Sequence, residues 1–127
     1  MMNIDHIGLY VDDLEKTKVF FETYFQATTN QLYHNEKTGL KTYFLSFDNH
    51  TRLEIMNRPN LSTKTTNDLH IGYHHVAFKL GSKEKVDNLM MILKNDGYEI
   101  FSNPRYTGDG YYEAVIKLEQ YLIELVA

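Results

Sequence analysis

At 127 residues the chain has the length of one domain able to bury a core of its own. It contains no cysteine, which excludes disulfides, thiolate ligands and a cysteine nucleophile, so any metal must be held by nitrogen and oxygen. The net charge of −4, with acids and bases mixed along the chain, argues against a nucleic-acid backbone as partner, and no apolar run approaches the ~20 residues that span a bilayer.

The opening Met1-Met2-Asn3-Ile4-Asp5 lacks the basic-then-apolar pattern of a secretory leader, so a cytoplasmic location is expected. Ile4 to Val11 is a short apolar run interrupted at His6 and reads as a strand. Asp12 is the expected N-cap of the next helix, with Glu15 completing a capping box. Leu14, Lys18, Phe21 and Phe25 share one face of that helix, widened by Thr17, Phe20 and Tyr24, and the helix is expected to end near Phe25 to Ala27. Three strands follow: a weak one at Gln31 to Asn35, then Leu40 to Phe47, then Thr51 to Asn57, which Arg58-Pro59 stops. Residues 60–69 are rich in Thr, Asn and Ser and read as a linker.

The same order then returns. Tyr73 to Leu80 is a strand, Ser82 an N-cap, and Val86, Leu89, Met90 and Leu93 an apolar helical stripe that ends before Gly97. Strands are predicted at Tyr98 to Phe101, Tyr111 to Leu118 and Tyr121 to Val126. The expectation is an α+β fold: two βαβββ modules, 1–59 and 70–127, joined by the linker into a single domain whose curved mixed sheet encloses a shared concavity.

Two ionisable pairs sit at matched places in this repeat. His6 and His75 fall on the first strand of each half, and Glu54 and Glu124 on the last. The histidine spacing and the glutamate spacing agree to within one residue. With period two, Ile7 and Leu9 point away from His6, Val76 and Phe78 from His75, Leu53 and Ile55 from Glu54, and Ile123 and Leu125 from Glu124. Alone, each residue has an ordinary explanation: a packed histidine, or a glutamate on the wet side of a sheet. Together they suggest two imidazoles and two carboxylates converging on a divalent first-row metal. Nitrogen and oxygen donors do not choose among Ni, Zn, Co, Mn and Fe. His74 is out of phase with His75 and is not expected to be a ligand. The ten tyrosines identify nothing by number alone.

Asp5-His6-Ile7-Gly8-Leu9-Tyr10-Val11, His75-Val76-Ala77-Phe78 and Ile123-Glu124-Leu125 resemble the strands that carry ligands in the vicinal oxygen chelate superfamily. That superfamily includes glyoxalase I, bleomycin-resistance proteins, extradiol dioxygenases, fosfomycin-resistance enzymes and methylmalonyl-CoA epimerase. The resemblance covers nearly the whole chain. It implies one divalent ion held by His6, Glu54, His75 and Glu124, a pattern that looks most like glyoxalase I. On that likeness the chain is expected to be a lactoylglutathione lyase-like enzyme acting on a hemithioacetal or related small-molecule substrate, with Glu124 as base and Glu54 as its partner. The alternatives are an extradiol dioxygenase or another chelate-family enzyme, and a bleomycin-resistance-type binding protein without turnover. A homodimer is implied as well, since small relatives commonly shield their cavities with a second subunit.

The segment Asn103-Pro104-Arg105-Tyr106-Thr107-Gly108-Asp109-Gly110-Tyr111-Tyr112-Glu113 resembles one found in small bacterial members. Arg105 is a candidate for binding a carboxylate or other anion through its forked donors, and Tyr111 and Tyr112 for closing a wall of the cavity. One departure stands out. Lys117-Leu118-Glu119-Gln120-Tyr121 replaces the Asp-Pro-x-Gly-Asn turn common before the last strand, and it leaves Glu124 in phase.

Overall fold

An alternation of apolar and polar residues buries one face of a strand, and here it does so twice. The computed structural model describes residues 4–48, 50–62, 71 and 73–127, so from residue 63 on the expected linker lies outside the described residues. The chain divides into two compact units, Met1–Lys64 and Thr65–Ala127.

In the first unit, β1 (His6–Tyr10) leads to α1 (Leu14–Phe25), then to β2 (Thr28–Thr29), β3 (Tyr33–His34), β4 (Lys41–Ser46) and β5 (Arg52–Asn57). The sheet runs β1-β5-β4-β2, with β3 also on β4. β1 and β5 are parallel, and the remaining pairings are antiparallel. The weak strand expected at Gln31 to Asn35 is only the two-residue β3, and the equally short β2 lies ahead of it. Asn30 separates them: its side-chain oxygen accepts from the Phe44 N–H at 2.8 Å, in place of a regular ladder bond.

The cap of α1 is Asp13, not Asp12: the Asp13 carboxylate accepts from Lys16 N–H at 3.0 Å. Asp12 is held back because its carbonyl, with that of Val11, accepts from the Asn57 amide at the end of β5. Glu15 therefore closes no capping box. Its carboxylate accepts from the Tyr43 hydroxyl at 2.6 Å and ties α1 to β4. Phe21 is the centre of this unit's core. Its ring meets Phe20 at 5.2 Å, Phe25 at 5.6 Å and Phe47 at 6.5 Å, above the buried Leu45, Leu53 and Ile55.

The Tyr43–Glu15 bond carries a pH signature. The bond to Glu15, followed by burial, pushes the phenol from 10.0 to about 12. A group whose folded pKa is raised stabilises fully below its unfolded value and loses that contribution as pH climbs through the folded one. Tyr43→Phe is expected to cost about 1 kcal/mol at neutral pH. That difference from wild type should shrink between pH 10 and about 12 in urea unfolding. A difference constant across that range would refute the link.

The second unit contains β6 (His75–Lys79), α2 (Lys83–Asn95), β7 (Glu99–Tyr106), β8 (Tyr112–Leu118) and β9 (Tyr121–Val126), with sheet order β6-β9-β8-β7. Ser82 caps α2 as the sequence suggests, accepting from Lys85 N–H at 3.2 Å. Gly97 follows α2 at φ +92, a left-handed turn that favours glycine. Val86, Met90 and Leu93 pack over Ala114, Ile116 and Leu125, all buried. β7 runs on to Tyr106, beyond the expected end at Phe101. The register shifts twice, between Ile100 and Ser102 and between Ser102 and Arg105, and the second shift lets the ladder pass Pro104, which has no N–H to give.

The fold is α+β, with two mixed sheets built from βαβ-type modules. Among the described residues no helix is long and apolar enough to cross a membrane.

Candidate functional site

Parallel pairing of the first and last strands sets the geometry of both ionisable pairs. In β1 and β5 the register is His6↔Arg52 and Gly8↔Glu54, so the imidazole and the carboxylate are diagonal neighbours on one face. His6 Nε2 lies 3.8 Å from Glu54 Oε1. In β6 and β9 the register is His75↔Leu122 and Ala77↔Glu124, and His75 Nε2 lies 3.3 Å from Glu124 Oε2. The apolar neighbours Leu53, Ile55, Ile123 and Leu125 are buried, so the expected strand phase holds.

A small residue faces each glutamate across the ladder. A Cβ on Gly8 would stand 3.1 Å from Met56 Cε and 3.8 Å from Glu54 Oε1. Glycine there leaves room for the carboxylate to reach its histidine, and Ala77 holds the matching place in the second unit.

Two donors about 2.0–2.2 Å from a common ion are about 3.0–3.5 Å apart at octahedral or tetrahedral angles. The 3.3 Å pair matches that bite, and the 3.8 Å pair needs to close by a few tenths of an ångström. The second unit's pair thus has the spacing of two ligands of one cation, while the first unit's pair stands wider, and both offer nitrogen and oxygen donors of the kind a first-row divalent ion takes. Among the described residues no group of three or more His, Cys, Asp or Glu gathers around one point.

The histidines have different neighbours. His6 Nδ1 is 2.8 Å from Asp5 Oδ2, and the Arg52 guanidinium donates to that same oxygen at 2.8 Å. These contacts, His6 first and Arg52 next, hold the Asp5 carboxyl below the usual carboxylate range. Phe44 completes the surroundings, edge-on to the His6 ring at 5.2 Å and beneath the Arg52 guanidinium at 4.5 Å. In the second unit His75 Nδ1 faces His74 Nδ1 at 2.9 Å, with the rings at right angles.

Glu124 is the most perturbed acid. Burial pushes its carboxyl up to about 7, helped by a hydrogen bond to Glu113 and by that group's charge. Arg105 pulls it down and Asp109 pushes it up. A cation bound there would lower it again.

Arg105 sits on β7 opposite Glu113, exposed, its Nε donating to Ser102 Oγ at 3.3 Å. Tyr111 is exposed in the turn before β8, its backbone N–H bonded to Thr107 Oγ1. Tyr112 is placed differently. Its hydroxyl donates to Asp87 on α2, its ring packs on Tyr106 at 4.8 Å, and Lys83 lies over it. It is therefore on the helix side of the sheet, opposite to the face of Glu124. Sequence reasoning missed Asp5, Arg52, Phe44 and Glu113 as neighbours of the pairs. Asp5 alone carried a signal, an acid adjoining His6; the other three depend on cross-strand register.

The chain matches the Glyoxalase/Bleomycin resistance protein/Dioxygenase superfamily over residues 3–121. It is 31% identical, over 98% of its length and 88% of the relative's, to the fosfomycin resistance protein FosX of Listeria monocytogenes. A crystal structure of a glutamate-to-glutamine mutant of FosX, complexed with Mn(II) and 1S,2S-dihydroxypropylphosphonic acid, matches at 25% identity and TM-score 0.73, covering 100% of this chain and 93% of that one. A glyoxalase family protein from Bacillus cereus matches at 18% identity and TM-score 0.82, over 99% of this chain and 93% of the other, and shows the shared fold. The chain belongs to the Glyoxalase/Bleomycin resistance protein/Dioxygenase superfamily.

Proposed function

We propose that this protein is a divalent-metal-dependent enzyme that opens a small phosphonate-bearing epoxide by adding water. The observation that carries this reading is the 31% identity to a fosfomycin resistance protein across 98% of the chain. A structure of that relative contains Mn(II) and a dihydroxypropylphosphonic acid. Fosfomycin is the epoxide from which that diol forms by uptake of water.

His6, Glu54, His75 and Glu124 would supply the donors for the ion. When bound, a divalent cation supplies Lewis-acid stabilisation of an oxygen gaining negative charge. The residues of the chain supply the rest. Arg105 meets the phosphonate through its forked donors, and Tyr111 borders the same turn. Glu124, or Glu54 as its counterpart, takes a proton from water. The water oxygen bonds to one epoxide carbon as the ring C–O bond breaks. The freed ring oxygen keeps the electron pair and takes up a proton, leaving a vicinal diol. A homodimer, the arrangement implied for small relatives, would shield this chemistry from bulk water and is tested by sedimentation.

A lactoylglutathione lyase-like reaction is the second reading, favoured by the matched imidazole and carboxylate on each unit. The same glutamates would then move a carbon-bound proton in a hemithioacetal.

The deciding experiment incubates Mn(II)-reconstituted protein with fosfomycin and follows diol formation by phosphorus NMR. Parallel samples contain methylglyoxal adducts of several thiols, and catechols with oxygen uptake recorded. Diol formation supports the proposal. Thioester formation alone replaces it with the lyase, and oxygen uptake alone with a dioxygenase. Tight binding of a small molecule with no turnover and no need for metal would make the protein a sequestering one.

A further inference from the structure

Arg52 is pinned on the face that carries His6 and Glu54, yet most of its donors are unspent. It stands opposite His6 in the β1–β5 ladder and two residues before Glu54, so all three point the same way. Its Nη2 donates to Asp5 Oδ2 at 2.8 Å. Its Cζ lies 4.5 Å from the centroid of the Phe44 ring, which supports the planar guanidinium as a platform. Phe44 is fixed in turn: it pairs with Glu54 across the β4–β5 ladder, and its backbone N–H donates to Asn30. Among the described residues Asp5 is the hydrogen-bond partner of the guanidinium, and it takes one of five N–H donors. The side chain is 37% exposed, so the remaining donors are open to a ligand. Arg105 has the looser setting, exposed on β7 with a 3.3 Å bond to Ser102.

An arginine free in solvent loses rotamer freedom when it grips a ligand. One already held loses little, so its bonds count more fully toward affinity. The planar fork matches two oxygens of a carboxylate or a phosphonate. We propose that Arg52, braced by Asp5 and Phe44, is an anion-binding residue that holds an oxyanion group of a small-molecule ligand over the first sheet, beside His6 and Glu54. The carboxylates of Asp5 and Glu54 outnumber its single charge, so an anion gains little there from charge alone. A divalent cation on the His6–Glu54 pair reverses that balance, and the affinity should then rise. The rise rests on the metal reading; the contact with Arg52 does not.

The test follows the Arg52 Nε–H signal by NMR as methylphosphonate, or acetate in a separate arm, is added. It is run on metal-free protein and on protein loaded with Zn(II), which is diamagnetic. Arg52→Lys identifies the signal by its absence. The signal should shift saturably, at lower anion concentration when Zn(II) is present, and the anion bound more tightly names the group. Arg52→Met keeps a long apolar stem on Phe44 and should weaken binding about 10–100-fold by calorimetry. Arg52→Lys, a charge without the fork, should fall between. Phe44→Leu should broaden the Arg52 signal and weaken binding less than Arg52→Met does. Arg52 is partly exposed and outside the core, so its variants should fold. An Arg52 signal unmoved by both anions in both states would overturn the proposal, as would unchanged affinity in Arg52→Met. Loss of binding in Arg105→Met with none in Arg52→Met would give the anion to Arg105 and overturn it too. A saturable Arg52 shift in a protein that binds no Zn(II), or that forms no diol from fosfomycin, would uphold the contact and sink the metal-centre or the hydration reading instead.

Discussion

Replacing His6 and His75 together by alanine is expected to abolish stoichiometric divalent-metal binding while leaving the fold intact. Both imidazoles are about 40% exposed, and neither belongs to the core. Their loss removes two nitrogen donors without opening a cavity. Glu54→Ala and Glu124→Ala should each weaken binding, since each pair then keeps one donor. Glu124→Gln preserves size and a carbonyl oxygen but can no longer accept a proton. It should lower turnover by about 10²–10⁴-fold, the usual contribution of a positioned acid or base. Metal analysis of protein purified without a histidine tag gives the first readout, and circular dichroism controls for folding. Full metal content in the double histidine variant would reject this donor set.

The largest effects on stability should come from the two cores. Phe21→Ala removes the ring around which Phe20, Phe25 and Phe47 pack, and a cost of about 3–5 kcal/mol is expected. Leu125 is fully buried beside Ala114 and Ile116, and Leu125→Ala should cost about 2–5 kcal/mol. Against a total of about 5–15 kcal/mol, either is a large fraction. Urea unfolding of the two variants also tests whether 1–127 is a single domain. Phe21 belongs to the first unit and Leu125 to the second. If the units fold cooperatively, both substitutions shift one shared transition by similar amounts. Two transitions, each moved by only one of the variants, would separate the units.

The strand phase was legible from the sequence because period two is a local rule: Leu53 and Ile55 are buried beside a half-exposed Glu54, as their alternation requires. Register was not legible, because it depends on which distant strands pair. Nothing in the local sequence of Arg52 says that it will stand opposite His6 and share Asp5 with it. Small choices between neighbours also escaped. Asp12 and Asp13 are equivalent as letters, and the Asn57 amide decides between them. Tyr111 and Tyr112 looked interchangeable until pairing placed Tyr112 against Asp87. The bulges in β7 were hidden too, since Pro104 reads as a strand breaker unless the partner strand can skip a residue.

Hydrogen-bonded ladders govern how such a chain can be built. Among the described residues each sheet draws all its strands from one unit. A break in the covalent chain between residues 62 and 71 would sever none of the ladders among the described residues. One fragment would carry an imidazole and a carboxylate on β1 and β5, and the other a second such pair on β6 and β9. Either fragment can thus be randomised, exchanged or supplied as a separate polypeptide while the other keeps its own hydrogen-bonding instructions. Complementation between halves, rather than point substitution, becomes a natural way to vary what the protein binds.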